Sequence, residues 1–259
     1  MTEAGASTHG EGGGGLGKAT LARVFFRSLF LQASWNPRGM QNLGFADAIA
    51  PALEALYPDP AERARAALRH LEFFNCHPYA AAAIVGGAVR LEERVARGEA
   101  RPEDVSTFKS ALGPPFAALG DGFFWLALRP AAALAAAMVV PFIGLSAVLL
   151  FLVLYNTVHL TARLWLFWQG YARGEGVVDA IGEAQIPRGT SLLKAAGAVL
   201  AGALAARSVL AASIPGKPLQ AVLTASAVLA FALLLPRLGL LRAVYLALIL
   251  GIGLGAWLS

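Results

Sequence analysis

The sequence is short of charge and nearly without cysteine. Only 14% of its 259 residues are Asp, Glu, Lys or Arg, against 57% hydrophobic, and the mean hydropathy is +0.61. About a quarter of an average soluble domain is charged, so this composition excludes an ordinary water-facing surface and calls for lipid around the chain. The rival reading, an Ala-rich soluble helical protein, fails on the long charge-free runs of the second half. The single cysteine, Cys76, excludes an intrachain disulfide, and no Cys/His spacing fits a zinc site. Nucleophile–base pairs, metal-ligand sets and phosphate-binding loops are missing too, so neither catalysis nor a cofactor is expected. The N-terminus lacks a basic start followed by an apolar core; residues 1–17 are Gly-rich with Glu3 and Glu11, which reads as a disordered tail and not a signal peptide.

The charge that is present is unevenly spread. Up to Arg129 thirteen basic residues balance thirteen acidic ones, whereas beyond it eight face three. The basic excess therefore punctuates the apolar half. A nucleic-acid binder clusters such residues on a soluble face, so no nucleic-acid partner is expected, and the pattern fits membrane orientation instead.

Two regions come after the tail. Residues 18–130 are amphipathic, with Leu21, Val24, Phe25, Ser28 and Leu29 on one helix face. Pro37, Pro51, Pro58, Pro60 and Pro78 are expected to divide the chain beyond that helix into short helices. Asp59, with Pro60 and Glu62 behind it, reads as the N-terminal cap of a helix running through Leu68, Leu71 and Phe74. Residues 131–259 are the transmembrane region. No charge occurs between Arg129 and Arg163, and about 20 apolar residues suffice to cross the hydrocarbon. One long, tilted or Pro141-broken span is expected there, with further spans over 195–214, 219–235 and 243–258. The loop positions of Lys and Arg do not fix the orientation. A re-entrant segment from Gly113 to Arg129 would reconcile them. The expected fold is an all-α integral membrane protein: amphipathic and re-entrant N-terminal helices followed by about four transmembrane helices.

Three clusters are rich in residues that lipid-facing helices avoid. The first is Leu31-Gln32-Ala33-Ser34-Trp35-Asn36 with Met40-Gln41-Asn42-Leu43-Gly44-Phe45. The second is Arg69-His70-Leu71-Glu72-Phe73-Phe74-Asn75-Cys76-His77-Pro78. The third is Gly113-Pro114 with Gly120-Asp121-Gly122-Phe123-Phe124-Trp125, closed by Leu128-Arg129-Pro130. In this order and spacing they resemble the IID component of the mannose/fructose/sorbose family of phosphoenolpyruvate-dependent sugar phosphotransferase systems. Gly122 and Cys76 depart from the family's usual residues, and the C-terminal part is short, which leaves the sugar open.

The resemblance implies a multi-pass subunit of the bacterial inner membrane, not itself catalytic. It would pair with a IIC membrane subunit to form the channel and sugar site for a hexose, while soluble IIB and IIA phosphocarriers relay the phosphoryl group. A higher oligomer of IIC–IID pairs is also implied. An alternative is a regulatory IID-like protein that docks these partners without transport.

Sugars are recognised through hydrogen bonds to their hydroxyls and an aromatic face under the ring. Glu72 and Asn75, three apart on the expected helix, and Asp121 are the candidate polar contacts; Trp35 and Asn36 complete the set. Each has a plainer alternative: a Glu72 ion pair with Arg69 or Arg65, Asn75 as a helix C-cap, Trp35 as an interface anchor, Asn36 as the start of a turn. His70 and His77 lack an orienting partner in the sequence and are read as structural.

Overall fold

The computed structural model describes residues 15–212, and all regular structure in that stretch is helical. Helix α1 (Lys18–Ser28) buries Leu21, Val24 and Ser28, the face expected of it. In α2 (Asn42–Leu56) the stripe Phe45, Ile49, Ala52 and Leu53 packs into the core, and Pro51 lies within the helix. The break expected at Pro51 does not occur, because burial of that stripe on both sides outweighs one missing backbone hydrogen bond. Helix α3 (Pro60–His70) starts as anticipated, the Asp59 carboxylate accepting from the Glu62 N–H at 2.9 Å. It stops at His70, four residues short of Phe74. There the backbone leaves the helix to pair with another segment, Phe74 accepting from Gln41 N–H at 2.9 Å and donating to the Gly39 carbonyl at 3.3 Å.

Helix α4 (Ala81–Ala96) is buried along most of its length and is built largely from Ala, Val and Gly. Small side chains let another helix approach its backbone closely, and the long apolar helix α7 (Ser146–Arg173) does so. A Cβ on Gly86 would lie 2.1 Å from the Phe167 carbonyl oxygen, and one on Gly170 would lie 2.0 Å from that of Ala83. This crossing ties the amphipathic half of the chain to the apolar half.

Helix α5 (Pro102–Gly120), a π-helical stretch (Asp121–Leu128) and α6 (Arg129–Ile143) form one unbroken helix of 42 residues. At about 1.5 Å per residue it is ~63 Å long, twice the thickness of a bilayer's hydrocarbon. The re-entrant, non-helical segment expected between Gly113 and Arg129 is therefore corrected. Two of its glycines serve packing and not turning, Gly113 abutting the Asn75 carbonyl and Gly120 the His77 ring, and neither these nor Gly122 has a positive φ.

The single span expected over 130–162 is corrected as well. The chain reverses at Gly144, whose φ of 57° suits glycine, and Leu145 at the tip is 89% exposed. Helices α6 and α7 pack together as the arms of a hairpin, and Pro141 stays inside α6. A 3₁₀ turn and α8 (Val177–Glu183) extend α7. Among the described residues the continuous helices Pro102–Ile143 and Ser146–Glu183 are long and apolar enough to cross a membrane. Helix α9 (Ile186–Ala212) covers most of the span expected over 195–214 and packs on α6 and the π-helix.

The spans expected over 219–235 and 243–258 lie outside the described residues, as do residues 1–14 of the expected tail. The end of that tail is anchored: the Leu16 N–H donates to Glu93 Oε1 at 2.6 Å. Glu93 is buried and needs donors, which the Tyr171 hydroxyl and Arg90 also supply, at 2.8 and 2.9 Å.

Candidate functional site

The three motif clusters, separate in sequence, meet in space. Gln41 joins the first to the second with both ends of its side chain: Nε2 donates to the Cys76 carbonyl at 2.7 Å and Oε1 accepts from the Cys76 N–H at 3.0 Å. Asn42 Nδ2 donates to the Leu71 carbonyl at 2.6 Å. His77 then joins the second cluster to the third. Its ring stacks on Phe124 at 5.2 Å and meets the Trp125 indole edge-on at 4.7 Å, with Gly120 leaving room for it. The π-helix widens the helix where Phe124 and Trp125 turn toward His77; such insertions recur at functional sites. Burial pulls the His77 pKa down to about 4, so the imidazole is neutral, and Nδ1 accepts from the Tyr79 N–H at 3.2 Å.

The predicted site residues fall around this junction in different ways. Glu72 and Asn75 are both exposed and lie beyond the end of α3, so they share no helix face, and the capping role considered for Asn75 does not apply. Arg69 pairs with Glu92, not Glu72. Asp121 opens the π-helix next to the second cluster: burial pushes the Cys76 thiol up to about 12, and the Asp121 charge adds to that rise. Among the described residues the side chains of Glu72, Asn75 and Asp121 form no hydrogen bond or ion pair, so their hydrogen-bonding capacity is unspent. Trp35 is 54% exposed. Asn36 is engaged in its own turn, Oδ1 accepting from the Gly39 N–H at 2.8 Å and Nδ2 donating to Asn42 Oδ1 at 3.0 Å. Of the five, Glu72 alone lines the polar cleft of about 580 Å³ between α3 and the start of α5, beside Arg65, Arg69, Glu62 and Glu103.

The floor of that cleft holds a network that sequence reading missed. Glu92 Oε1 accepts from Arg69 Nε at 2.6 Å and His70 Nε2 at 2.8 Å; Oε2 accepts from the Tyr57 hydroxyl at 2.7 Å and from Arg69 Nη2. Burial alone raises a carboxyl pKa, but the His70 and Arg69 hydrogen bonds outweigh it and hold Glu92 down, at about 2. Burial likewise keeps His70 below the ordinary histidine range. In sequence Glu92 sits in Arg90-Leu91-Glu92-Glu93-Arg94, which reads as a solvated face. The available signal was its helical spacing from buried Ala88 and Val89. Among the described residues no group of His, Cys, Asp or Glu is arranged to hold a metal ion.

Residues 15–249 match the family model described as the PTS system mannose/fructose/sorbose family IID component. The mannose-specific EIID component of Escherichia coli K12 is 37% identical over 191 residues, which is 73% of this chain and 68% of that protein. The fructose permease IID component of Bacillus subtilis 168 is 31% identical, covering 74% and 70% respectively. Among solved structures, one titled as a membrane protein superposes with a TM-score of 0.72 at 30% identity. A chain from the cryo-EM structure of the mannose transporter ManYZ with microcin E492 superposes with a TM-score of 0.59, also at 30% identity. Each likeness covers 93% of this chain and 97% of the other.

Proposed function

Since the chain belongs to the mannose/fructose/sorbose family of phosphotransferase IID components, membrane subunits of sugar transport systems, we propose that it pairs with a IIC subunit in the bacterial inner membrane to take up a hexose. The observation that carries this reading is the set of unspent polar side chains. Asn75 and Asp121 belong to the second and third clusters, which meet at His77, and Glu72 lines the polar cleft beside Arg69; among the described residues none of the three makes a hydrogen bond or ion pair, which leaves them for a ligand or a neighbouring subunit. Trp35 supplies an exposed aromatic face, and Asn36 holds the turn that presents it. A sugar bound against these groups would lie at the IIC–IID boundary.

The subunit itself carries no phosphoryl group in this reading. His70 is buried and hydrogen-bonded to Glu92, and His77 is walled in by aromatic rings; a phosphoacceptor needs an accessible nitrogen. The soluble IIA and IIB partners perform the relay, and IIC–IID pairs gather into a higher oligomer. The ManYZ likeness supports the pairing, because that structure is of a mannose transporter in which the similar chain is one part.

The test is co-expression with a IIC chain of the same family. The two should co-purify in detergent and support sugar-dependent phosphorylation when IIA, IIB and a phosphoenolpyruvate source are supplied. Replacement of Glu72, Asn75 or Asp121 by Ala should abolish uptake while the pair still forms. A chain that remains monodisperse alone and ignores IIC would overturn the proposal; a pair that forms and docks the phosphocarriers but takes up no sugar would favour the regulatory alternative.

A further inference from the structure

One side chain bridges the first motif cluster and the second at the points where their candidate sugar contacts stand. Asn42, the first residue of α2, accepts through Oδ1 from Asn36 Nδ2 at 3.0 Å and donates through Nδ2 to the Leu71 carbonyl at 2.6 Å. On one side of this bridge is the turn that carries Trp35; on the other, the residue after Leu71 is Glu72. The bridge therefore joins the aromatic face of the proposed sugar site to its carboxylate.

The surroundings leave that spacing to Asn42. Helix α3 ends at His70, and the chain is next paired at Phe74, which bonds to Gly39 and Gln41. Between those points Leu71, Glu72 and Phe73 are exposed, and among the described residues the Asn42 amide is the one group from another segment that hydrogen-bonds to them. The other end of the bridge is firmly built. Asn36 Oδ1 accepts from the Gly39 N–H at 2.8 Å, Asn36 and Met40 exchange backbone hydrogen bonds at 2.8 and 3.0 Å, and Met40 closes the turn with a φ of 56°, uncommon for a residue with a Cβ. Gly39 makes room for the amide: a Cβ there would lie 2.2 Å from Asn42 Nδ2, and its three nearest atoms would all belong to the Asn42 side chain.

A sugar site works through a few polar groups held at set positions around an apolar face, and a hydrogen bond weakens steeply when its partner is misplaced. We infer that Asn42 is a positioning residue for sugar recognition: its amide sets the distance between the Trp35–Asn36 turn and Glu72, and so the width of the site. The inference rests on the sugar reading of those residues.

The experiment is uptake by the full chain co-expressed with IIC in cells that supply IIA and IIB, using whichever of labelled mannose, fructose or sorbose the unaltered pair takes up. Asn42→Asp keeps the shape and the acceptor for Asn36 but sets a carboxylate oxygen against the Leu71 carbonyl. Its charge falls in the first turn of α2, which a helix favours, so melting temperature and IIC retention should hold. The KM for uptake should rise roughly tenfold, the weight of one lost hydrogen bond, with Vmax little changed. Gly39→Ala displaces the same amide without altering it and should raise KM likewise. Glu72→Gln should raise KM by about as much, and the Asn42→Asp, Glu72→Gln double variant little further, because both act on one contact. A KM unmoved in Asn42→Asp and Gly39→Ala while Glu72→Gln raises it overturns the positioning role, as do single effects that multiply in the double variant. A loss confined to Vmax, melting temperature or IIC retention overturns it too, since a merely structural residue would show that. Uptake indifferent to Glu72→Gln would overturn the sugar reading itself, and this role with it, whatever Asn42→Asp does.

Discussion

Arg163, on the apolar helix α7, donates through Nη2 to the backbone carbonyl of Ser28 at 2.9 Å, linking positions 135 residues apart. The guanidinium also lies over the Tyr79 ring, 5.2 Å from its centroid. Both groups are buried, and Ser28 ends the amphipathic helix α1, so the contact fixes that helix against the apolar half of the molecule. Arg163→Met should leave the Ser28 carbonyl with only the Leu31 N–H, at 3.2 Å, and cost about 1.5–3 kcal/mol, the net worth of a hydrogen bond from a charged donor. Thermal melting in detergent reads the loss, and limited proteolysis should show cleavage near α1 before the rest of the chain.

Glu92 holds α3 and the loop after α2 to α4 through Arg69, His70 and Tyr57. Removing the carboxylate leaves the largely buried Arg69 guanidinium and the buried His70 without their acceptor, so Glu92→Ala should destabilise by on the order of 3 kcal/mol. Replacing Glu92 and Arg69 together by Met should recover part of that loss, since no buried charge is then left alone. A double-mutant cycle on melting temperatures measures the difference.

Acid should destabilise the fold in two stages. His70 and His77 have folded pKa values below the ordinary 6.5, so the folded state binds fewer protons than the unfolded state; their contribution is full above 6.5 and is lost as pH falls, for His77 between 6.5 and about 4. Glu92, depressed from 4.5 to about 2, adds stability that is lost below 4.5. Melting temperature should therefore drop from pH 6.5 downward and keep dropping below 4.5. In His77→Gln the slope between 6.5 and 4 should be shallower, and an unchanged slope would count against His77 as a titrating group.

The crossing of α4 and α7 depends on glycine. A methyl group on Gly170 would meet the Ala83 carbonyl at 2.0 Å, and backbone on both sides leaves nothing to rotate away. Gly170→Ala should cost about 1–3 kcal/mol as an overpacked contact. Gly182→Ala, in α8 with open space around it, should instead stabilise by roughly 0.5–1 kcal/mol through helix propensity alone. Parallel melts of the two variants test the contrast.

Much of this molecule was readable from local pattern. The buried face of α1 and the Asp59 cap at the start of α3 follow from spacing and side-chain chemistry within a few residues, and both stand in the structure. The motif clusters carried the family in the same way. The end of α3 did not follow, because His70 to Phe74 continues a helical apolar pattern and the backbone pairing of Phe74 with Gly39 and Gln41 comes from thirty residues upstream. Glu92 was hidden for a related reason: its partners Arg69, His70 and Tyr57 lie on other elements.

The sequence by itself determined that the chain is helical, that its second half suits lipid and that it belongs with IID components, because hydropathy, helical period and motif spacing are written along the chain. Only the tertiary structure decided that the charge-free run folds back at Gly144 and that Gln41 and His77 draw three distant motifs together. It alone also decided which polar side chains are left unspent. Those outcomes depend on which surfaces meet, and the contacts that select them join residues that the linear order keeps far apart.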